Sequence, residues 1–536
     1  MPAPDGTQKI IMRWRQDLAA RPEDATAHFG LGKALWASGT CEEAITHLAR
    51  AVELDPGNAD ARSYYGNSLS AIGRFGDAAE QYRSALELQP DMPELHYNLG
   101  NMLLVTGQAD QAEACYHATL ARNPDHAGAH NNLGNALRGQ GRYGEAIDCY
   151  RRALDLRPEY FGTRNNIGSA LLALHRPAEA IPHFQDTLAA RPDYAEACNN
   201  LGGAMLALGR PGDAVSWFRR AVELDPGQEQ ARFGEALALL TMGDFRRGWR
   251  AYEARWRNPE FPEDAPEFVQ PRWSGDESVI GKTILLHAEQ GLGDTIQFVR
   301  YAPLLRARGA MVALSVPPSL TALFKDLADV VIAQGETFPH HDLHCPLMSL
   351  PLAFGTELAT IPADIPYLRV NQSLIARWSE ILGARKKPRV GIAWSGSADH
   401  PEDEVRSIPL AAFLPPLRMG AVELHVVQTD ISPADEAMLE TTTDVVVHRA
   451  MLNDFSATAA LISCLDLVIS VDTSVAHLAG ALGVPTWLLI QSSADFRWMR
   501  DRMDSPWYPT MRLFRQETLL NWTPVLSAVT EALQTL

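Results

Sequence analysis

Small and apolar residues recur along the first half of the chain at a constant spacing of 34 residues. Proline occupies positions 22, 56, 90, 124, 158, 192 and 226. Glycine occupies 32, 66, 100, 134, 168 and 202, and alanine occupies 44, 78, 112, 146, 180 and 214. Glycine and alanine let two helices approach closely, and proline opens a new unit after a helix has ended. The pattern predicts an α-solenoid of helix pairs, each of which buries its apolar face against its neighbours.

A second glycine series, at 39, 73, 107, 141, 209 and 243, predicts the left-handed residue that ends the first helix of each pair. His175 stands at the one position where this series lacks a glycine. A unit such as HNNLGNALRGQGRYGEAIDCYRRALDLRP, with all these phases, resembles the tetratricopeptide repeat. We expect six clear repeats over residues 22–225 and a degenerate capping repeat over 226–257, within a superhelix that spans residues 1–257.

The degenerate repeat carries bulky aromatic residues where earlier repeats have small ones. They are Phe245, Trp249, Tyr252 and Trp256. Because a terminal repeat must cover an exposed apolar face, we expect them to dock the superhelix onto the next domain. The stretch 258–278 follows, with prolines at 259, 262, 266 and 271, and we interpret it as an extended linker.

Asparagine also recurs in phase in the first helix of the repeats. One series comprises Asn98, Asn132, Asn166 and Asn200, and a second comprises Asn67, Asn101 and Asn135. An amide offers both a donor and an acceptor, so such a ladder can hold an extended polypeptide in a groove without reading its side chains. The alternative is that each asparagine satisfies amides near its own helix start. The ladder resembles that of the repeat superhelix in O-linked GlcNAc transferases.

The hydrophobic pattern changes at residue 279, where short apolar runs begin to alternate with helical stretches. KTILLHA (282–288) and MVALSVP (311–317) predict buried parallel strands, and the pattern restarts with PRVGIAWSG from residue 388. Alternating strands and helices predict a doubly wound α/β fold. We expect two Rossmann-like lobes, at 279–385 and 386–536, facing each other across a cleft that receives ligands at the strands' carboxyl ends.

Composition narrows the range of partners. The chain has 536 residues and a net charge of −18, so it is a poor non-specific partner for nucleic acid. No apolar run reaches the roughly 18 residues that a membrane helix needs, and we expect no membrane insertion. Six scattered cysteines form neither a zinc motif nor a disulfide framework. These features favour a reducing, cytoplasmic environment.

Two motifs of the α/β half resemble a known family. They are GLGDTIQ (291–297) and VDTSVAHLAGALGVPTWLL (471–489). They resemble the GT-B glycosyltransferases, specifically the heptosyltransferase-like group of family 9. Together with HAEQGLGDTIQF, RSIPL and DSPWYPTMRLFRQ, the whole arrangement resembles bacterial tetratricopeptide-repeat glycosyltransferases, some of which modify flagellin. The resemblance implies a nucleotide-sugar donor and places the acceptor on the N-terminal lobe.

Asp294 is the candidate general base in the first motif. Inverting glycosyl transfer needs a base on the acceptor hydroxyl and stabilisation of the leaving phosphate. The resemblance assigns the first role to Asp294, with Gly291, Gly293 and Gln297 on the acceptor side. The alternative is that Asp294 only caps a helix N-terminus.

The second motif supplies the first part of the candidate donor site. Its residues are Asp472, Thr473, Ser474 and His477. A helix that starts directly after a strand presents free amides to an anion. The family has Asp-Thr-Gly where this chain has Asp-Thr-Ser, so Ser474 leaves the donor pose open. For His477 the alternative is a histidine packed in the core.

A second donor loop is expected after the strand that begins at residue 388. Its candidates are Trp394, Ser395, Gly396, Ser397, Arg406 and Gln428. Arg406 matches a lysine position of the family and would bind phosphate, and Gln428 would contact the base or ribose. The alternative for Arg406 is an ion pair with Glu402, Asp403 or Glu404. Four residues after the strand at 485–490 are open candidates: Arg497, Trp498, Arg500 and Arg502. They either close the cleft around the sugar or pack at the surface.

These expectations combine into one function with two alternatives. We expect a protein O-glycosyltransferase, inverting and independent of metal, that uses no cofactor beyond its nucleotide-sugar co-substrate. The repeat groove would recruit a polypeptide, and the resemblance makes flagellin the acceptor. The alternatives are a binding scaffold with an inactive transferase domain, or a transferase for a glycan or lipid-linked acceptor. His340, His341 and His344 are interpreted as a loop rather than a metal site.

Overall fold

The computed structural model describes residues 5–258, 268–397, 403–418, 421–493 and 495–535. Its chain divides into two compact units, Met1–Asn200 and Leu201–Leu536. Fifteen helices occupy the described residues before 259, and a 3₁₀ helix, Glu253–Arg257, follows them. They are α1 (Asp5–Ala20), α2 (Ala25–Ala37), α3 (Cys41–Leu54), α4 (Ala59–Ala71), α5 (Phe75–Leu88), α6 (Pro93–Val105), α7 (Ala109–Arg122), α8 (Ala127–Gly139), α9 (Tyr143–Leu156), α10 (Phe161–Ala173), α11 (Pro177–Ala190), α12 (Ala195–Ala207), α13 (Pro211–Leu224), α14 (Glu229–Thr241) and α15 (Phe245–Tyr252).

The 34-residue register has a packing cause that the structure makes visible. In the repeat formed by α8 and α9, a Cβ added to Gly134 would lie 2.5 Å from the buried ring of Tyr150. The same relation joins Gly100 to Tyr116 in the α6–α7 repeat, at 2.8 Å. His175 adopts the left-handed conformation, φ 55°, that glycine takes in the other repeats. The predicted α-solenoid is confirmed.

Helix α1 was not predicted from the repeat register. Its residues Ile11, Trp14 and Leu18 pack on the buried cluster of Leu31 and Leu48. The helix therefore covers the apolar face that the first helix pair would otherwise expose.

The first parallel sheet contains four strands in the order β3-β2-β1-β4. Its strands are β1 (Thr283–His287), β2 (Met311–Val316), β3 (Val330–Ala333) and β4 (Leu343–Pro346). Its helices are α16 (Leu292–Phe298), α17 (Ala302–Ala307), α18 (Pro318–Phe324), α19 (Leu350–Ala353) and α20 (Gln372–Leu382), with 3₁₀ helices at Val299–Tyr301, Leu347–Ser349 and Leu358–Thr360. The apolar runs of β1 and β2 are buried almost throughout, as expected for parallel strands covered on both faces.

The second parallel sheet contains six strands in the order β10-β9-β8-β5-β6-β7. Its strands are β5 (Arg389–Ala393), β6 (Glu423–Val426), β7 (Val445–Val447), β8 (Leu467–Val471), β9 (Thr486–Ile490) and β10 (Met511–Arg515). Its helices are α21 (Asp403–Arg406), α22 (Leu410–Leu417), α23 (Pro433–Glu440), α24 (Phe455–Ile462), α25 (Ser474–Ala481) and α26 (Thr523–Leu533), with 3₁₀ helices at Arg449–Met451 and Phe496–Trp498. Two parallel sheets with helices between their strands confirm the α/β class of this half.

One expectation around β4 needs correction. His344 lies within β4 rather than in a loop, and its Nδ1 is 3.3 Å from Nε2 of His287 on β1. The last part of the linker is bonded to this strand, because the Trp273 N–H donates to the His344 carbonyl at 2.8 Å. Among the prolines that marked the linker, those at 259, 262 and 266 lie outside the described residues.

The aromatic residues of the degenerate repeat pack on the α/β half, as expected. Phe245, Trp249 and Tyr252 belong to one buried cluster with strand residues of the first sheet. The Trp249 ring lies 5.8 Å from Phe298 and 6.4 Å from Trp507 between centroids. Beside them the buried Arg255 donates to Glu289 at 2.7 Å and to Ser349 at 2.7 Å. This last repeat is therefore part of the same compact unit as both sheets.

Candidate functional site

A cleft of about 1140 Å³ lies within the second compact unit. Its lining comes from the turn after β1, the loops after β5 and β6, the turn after β8 and the segment after β9. Parallel strands direct their carboxyl ends to one edge of a sheet, which is where such folds bind ligands. Helices α14 and α15 of the last repeat also contribute residues to the lining.

Asp294 lies at the cleft in the first turn of α16. One carboxylate oxygen accepts from the Gly291 N–H at 3.0 Å, so Asp294 caps the helix from its third position, while Gly291 is the N-cap residue itself. The other accepts from the Arg497 guanidinium in an ion pair. Gly293 brings this turn against the second sheet's helices, because a Cβ there would lie 2.8 Å from Cδ2 of His477. Capping and presentation to the cleft thus coexist in Asp294.

Arg497 was an open candidate, and it is buried against the candidate base. Besides Asp294 it pairs with Asp495 at 2.6 Å, and its guanidinium lies 4.5 Å from the centroid of the Phe496 ring. The segment around it holds two non-glycine residues in the left-handed region, Met499 at φ 51° and Asp501 at φ 55°. Backbone strain of this kind persists only where surrounding contacts determine the conformation.

Two further contacts hold this segment in place. Arg515 on β10 donates to the carbonyls of Trp498 at 3.0 Å and Met499 at 2.8 Å. The Trp498 indole donates to the Asp472 carboxylate at 2.6 Å. Arg497 therefore lines the cleft, and the fully buried Trp498 holds Asp472 through this hydrogen bond. Arg500 packs against Gly209, and Arg502 pairs with Asp504 at 2.6 Å.

Asp472 follows the last residue of β8 and borders the cleft. Burial, together with the nearby Asp495 carboxylate, raises the pKa of Asp472 to about 6. The Trp498 indole and the guanidinium groups of Arg497 and Arg406 oppose this rise in pKa. The protonation state of Asp472 is therefore poised within one or two pH units of neutrality.

His477 satisfies both interpretations in part. It is buried, its Nδ1 is 3.0 Å from the Tyr508 hydroxyl, and its Nε2 is 3.8 Å from Asp472. Burial, with Arg497 and Arg300 nearby, lowers the pKa of His477 well below its usual value. A neutral histidine held by the core therefore forms part of the cleft wall, rather than a cation for phosphate.

Thr473 and Ser474 start α25 as expected. Thr473 is the N-cap residue, and its hydroxyl lies 3.3 Å from the Ser470 hydroxyl. Both residues line the cleft beside Asp472. The first N–H groups of an α-helix have no acceptor within the helix, so this helix start can receive an anion.

Two candidates of the second donor loop use their side chains to hold the surrounding structure. Trp394 is fully buried, and its indole donates to Asp435 at 3.0 Å, so its side chain belongs to the core of the second sheet. The Gln428 amide accepts from the N–H groups of Trp394 and Ser395 and donates to Ser395 Oγ and the Asp430 carbonyl. Both of its donors and both lone pairs are used. Gln428 therefore holds the loop while it lines the cleft, and its contact with base or ribose stays a prediction.

Four further candidates of that loop also line the cleft. They are Ser395, Gly396, Ser397 and Arg406. Arg406 pairs with Asp403 at 3.1 Å, as the alternative interpretation expected, and it also donates to the Asp472 carbonyl at 3.3 Å. Glu402 lies outside the described residues. The guanidinium is therefore both paired and directed at the turn after β8.

Gln297, expected on the acceptor side, does not line the cleft. It is fully buried on α16, and neither polar atom of its amide has a hydrogen-bond partner among the residues that the structure describes. It lies one helical turn after Asp294, and the helix directs it into the core. Sequence reasoning also missed Phe233, Leu237 and Tyr252, which line the cleft from the last repeat.

The asparagine series forms bonds between neighbouring repeats of the first unit. Nδ2 of Asn132 donates to Oδ1 of Asn101 at 2.8 Å, and Nδ2 of Asn166 donates to Oδ1 of Asn135 at 3.1 Å. Asn98 and Asn200 make equivalent bonds to Asn67 and Ser169. All four first-series residues remain half-buried. These amides bond across repeats, whereas the alternative interpretation expected bonds to their own helix starts. Binding of a polypeptide in a groove stays a prediction.

Comparison with known proteins relates both halves to described families. Tetratricopeptide-repeat models match residues 13–59, 103–161 and 165–229, and a further repeat model matches 66–107. A model described as glycosyltransferase family 9 (heptosyltransferase) matches residues 442–500, the stretch that contains Asp472, His477 and Arg497. These findings support a tetratricopeptide-repeat glycosyltransferase.

Individual relatives match parts of the chain. It is 28% identical over 333 residues to protein FlbA of Caulobacter vibrioides, which covers 56% of this chain and 54% of FlbA. The chain thus matches about half the length of that relative. Among solved structures, the Cut9–Hcn1 complex of APC/C is 19% identical, covering 44% of this chain and 46% of that one, with a TM-score of 0.38. YrrB, described as a repeat protein with an unusual peptide-binding site, is 21% identical, covering 34% and 95%, with a TM-score of 0.32.

Two features are absent from the described residues. No described helix combines the length and the apolar character needed to cross a membrane. Within the same residues, no group of three or more His, Cys, Asp or Glu side chains is arranged to hold a metal ion.

Proposed function

We propose that this protein transfers a sugar from a nucleotide-activated donor to Ser or Thr of a polypeptide that the repeats recruit. The observation that carries the proposal is the meeting of Asp294 and Arg497 in the cleft, beside the helix start after β8. A candidate base and cationic groups for a leaving phosphate then lie in one site. The match of residues 442–500 to a glycosyltransferase family supports the donor class.

The proposed reaction is an inverting displacement at the anomeric carbon. The acceptor oxygen forms its bond to that carbon as the bond to the donor phosphate breaks, and Asp294 takes the hydroxyl proton. The leaving nucleotide diphosphate carries away the electron pair. Its charge is stabilised by the α25 amides, Arg406 and Arg497, so the proposal needs neither a metal ion nor a cofactor.

The ion pair between Asp294 and Arg497 gives the proposed reaction an order. A carboxylate whose lone pairs are held by a guanidinium is a weak proton acceptor. A diphosphate has more negative charge and more acceptor oxygens than Asp294, so it competes for Arg497. Donor binding would then release Asp294 to take the proton of the acceptor.

The acceptor and the location are the finer parts of the proposal. The inter-repeat asparagine series supports recruitment of a polypeptide, because half-buried amides along the first helices offer regularly spaced hydrogen-bonding groups. Flagellin follows as the acceptor from the family resemblance alone. A cytoplasmic location is proposed with it, since nucleotide sugars and unassembled polypeptides meet there.

A donor panel combined with two variants tests the proposal. Thermal unfolding is followed with ADP, GDP, UDP, CMP and their sugar forms, using Arg406→Ala as the binding control. A ligand at 100 times its Kd stabilises the protein by about 2.7 kcal/mol, a shift of a few degrees. We expect one base to produce the shift and Arg406→Ala to reduce it. No shift from any donor would contradict the proposal and favour a scaffold.

Transfer with the bound donor then identifies the acceptor class. We expect Asp294→Asn to abolish transfer, and Asn132→Ala/Asn166→Ala to impair transfer to polypeptide at unchanged donor affinity. Because these asparagines also bond neighbouring repeats, unfolding temperatures are compared first. Transfer that survives the double substitution in a folded protein would point to a glycan or lipid-linked acceptor instead.

A further inference from the structure

Helix α14 carries apolar residues at two register positions that hold asparagine in the middle repeats. Phe233 occupies the register position of Asn131, Asn165 and Asn199, each 34 residues apart. Leu237 occupies the register position that holds Asn67, Asn101 and Asn135 in earlier repeats. The two repeats between them carry Ser169 and Gly203 at this position. An aromatic residue also stands at the Phe233 position in two earlier repeats, as Phe29 and Tyr97, but only in the last repeat are both positions occupied by large apolar side chains.

The structure places both apolar side chains at the wall of the transferase cleft. The Phe233 ring lies 5.4 Å from the Tyr252 ring, which lies 6.0 Å from the Phe496 ring. Phe233 and Leu237 are half-buried, whereas Tyr252 and Phe496 are buried. We call Phe233, Leu237, Tyr252 and Phe496 the apolar wall.

The apolar wall adjoins the turn that carries the candidate base. The Tyr252 hydroxyl accepts from Nε2 of Gln290 at 3.0 Å, four residues before Asp294. Phe496 directly precedes Arg497, the ion-pair partner of Asp294. An acceptor hydroxyl must come within about 3 Å of the base, and each residue of an extended chain spans about 3.5 Å. The neighbours of the modified residue therefore fall within reach of the wall.

The chemistry of the wall selects between the two substrates. The phosphates, ribose and sugar of a donor are polar and need hydrogen-bonding partners, which the loops after β5 and β8 provide. An apolar side chain gains by leaving water for the wall. We propose that the apolar wall is an acceptor subsite, which binds a bulky apolar side chain of the polypeptide next to the modified Ser or Thr. This inference rests on the proposed function.

The test places asparagine, the residue that earlier repeats carry, at the two apolar positions of α14 in the intact protein. The variants are Phe233→Asn and Leu237→Asn, with Met242→Asn as the matched control at the exposed end of the same helix. Two acceptor peptides are compared that differ only in a leucine or an asparagine beside the Ser. We expect KM for the leucine peptide to rise about tenfold in both wall variants, which corresponds to about 1.4 kcal/mol. Donor affinity, KM for the asparagine peptide and the control variant should change less than twofold.

Four results would overturn the inference. A wild-type protein that does not distinguish the peptides has no apolar subsite, and a wall variant that loses affinity for both peptides equally has a structural defect. Weakened donor binding, measured by calorimetry, would assign the wall to the nucleotide base. If wild type transfers to no polypeptide at all, the proposed function itself fails. If it transfers and the wall variants keep their KM for the leucine peptide, only this inference fails.

Discussion

Asp294→Asn should improve donor binding while it removes transfer. The reasoning is that Asp294 competes with the donor diphosphate for Arg497. Their ion pair is largely shielded from water, since the side chains are 23% and 8% exposed. A pair in such surroundings is stronger than the 0–1 kcal/mol of a surface pair and weaker than the several kcal/mol of a fully buried one. Removing about 1.4 kcal/mol of competition lowers the donor Kd about tenfold.

The assay pairs calorimetry of donor binding with a transfer rate. We expect the donor Kd of Asp294→Asn to fall about tenfold and its transfer rate to fall by about 10² to 10⁴, the usual contribution of a general base. Asp495→Asn is the matched control, because Asp495 also pairs with Arg497 at 2.6 Å. It should tighten donor binding and retain transfer. An unchanged or weaker donor Kd in Asp294→Asn would refute the competition between carboxylate and diphosphate.

Three other predictions concern stability. Because burial raises the folded-state pKa of Asp472 from 3.8 to about 6, the folded state holds the proton more tightly; its free energy of unfolding should fall by about 2 kcal/mol as pH rises from about 4 to 6. Denaturant titrations across that pH range should show this fall in wild type and not in Asp472→Asn. The same pH profile of unfolding free energy in both proteins would contradict the prediction. Gly134→Ala should destabilise by about 1–3 kcal/mol through the Tyr150 ring, whereas Gly139→Ala, with open space around it, should be neutral or stabilising in the same titration. His175→Gly should stabilise by about 1 kcal/mol, because glycine adopts φ 55° without the cost that a Cβ brings; a lower urea midpoint would count against this account.

The repeat half could be predicted closely because its periodic residues have one local cause. Gly134 recurs in register since each first helix must admit a ring from the second, and this need repeats every 34 residues. The strand β4 could not be predicted from the sequence because Leu343–Pro346 is short and includes a histidine and a proline. Its place in the sheet depends on β1, which is about sixty residues away along the chain.

The position of the candidate site could be predicted from the sequence, but the directions of its side chains could not. The motif ends marked the correct turns after β1 and β8, because a strand followed directly by a helix has a readable pattern. Which way Trp394 and Gln297 point depends on packing from both sides of a buried element, and periodicity does not report it. The pairing of Asp294 with Arg497 joins residues 203 positions apart, so neither local motif contains it.

Sugar transfer itself is tested most directly by following both products of one reaction. Wild type and Asp294→Asn are incubated with the nucleotide sugar that stabilises the protein and with a Ser- or Thr-containing polypeptide. Release of the nucleotide and the intact mass of the polypeptide are measured together. The account predicts that wild type adds one sugar mass per nucleotide released, and that Asp294→Asn binds the donor without doing so. Equal mass gain in both proteins, or nucleotide bound with no mass gain in either, would contradict it.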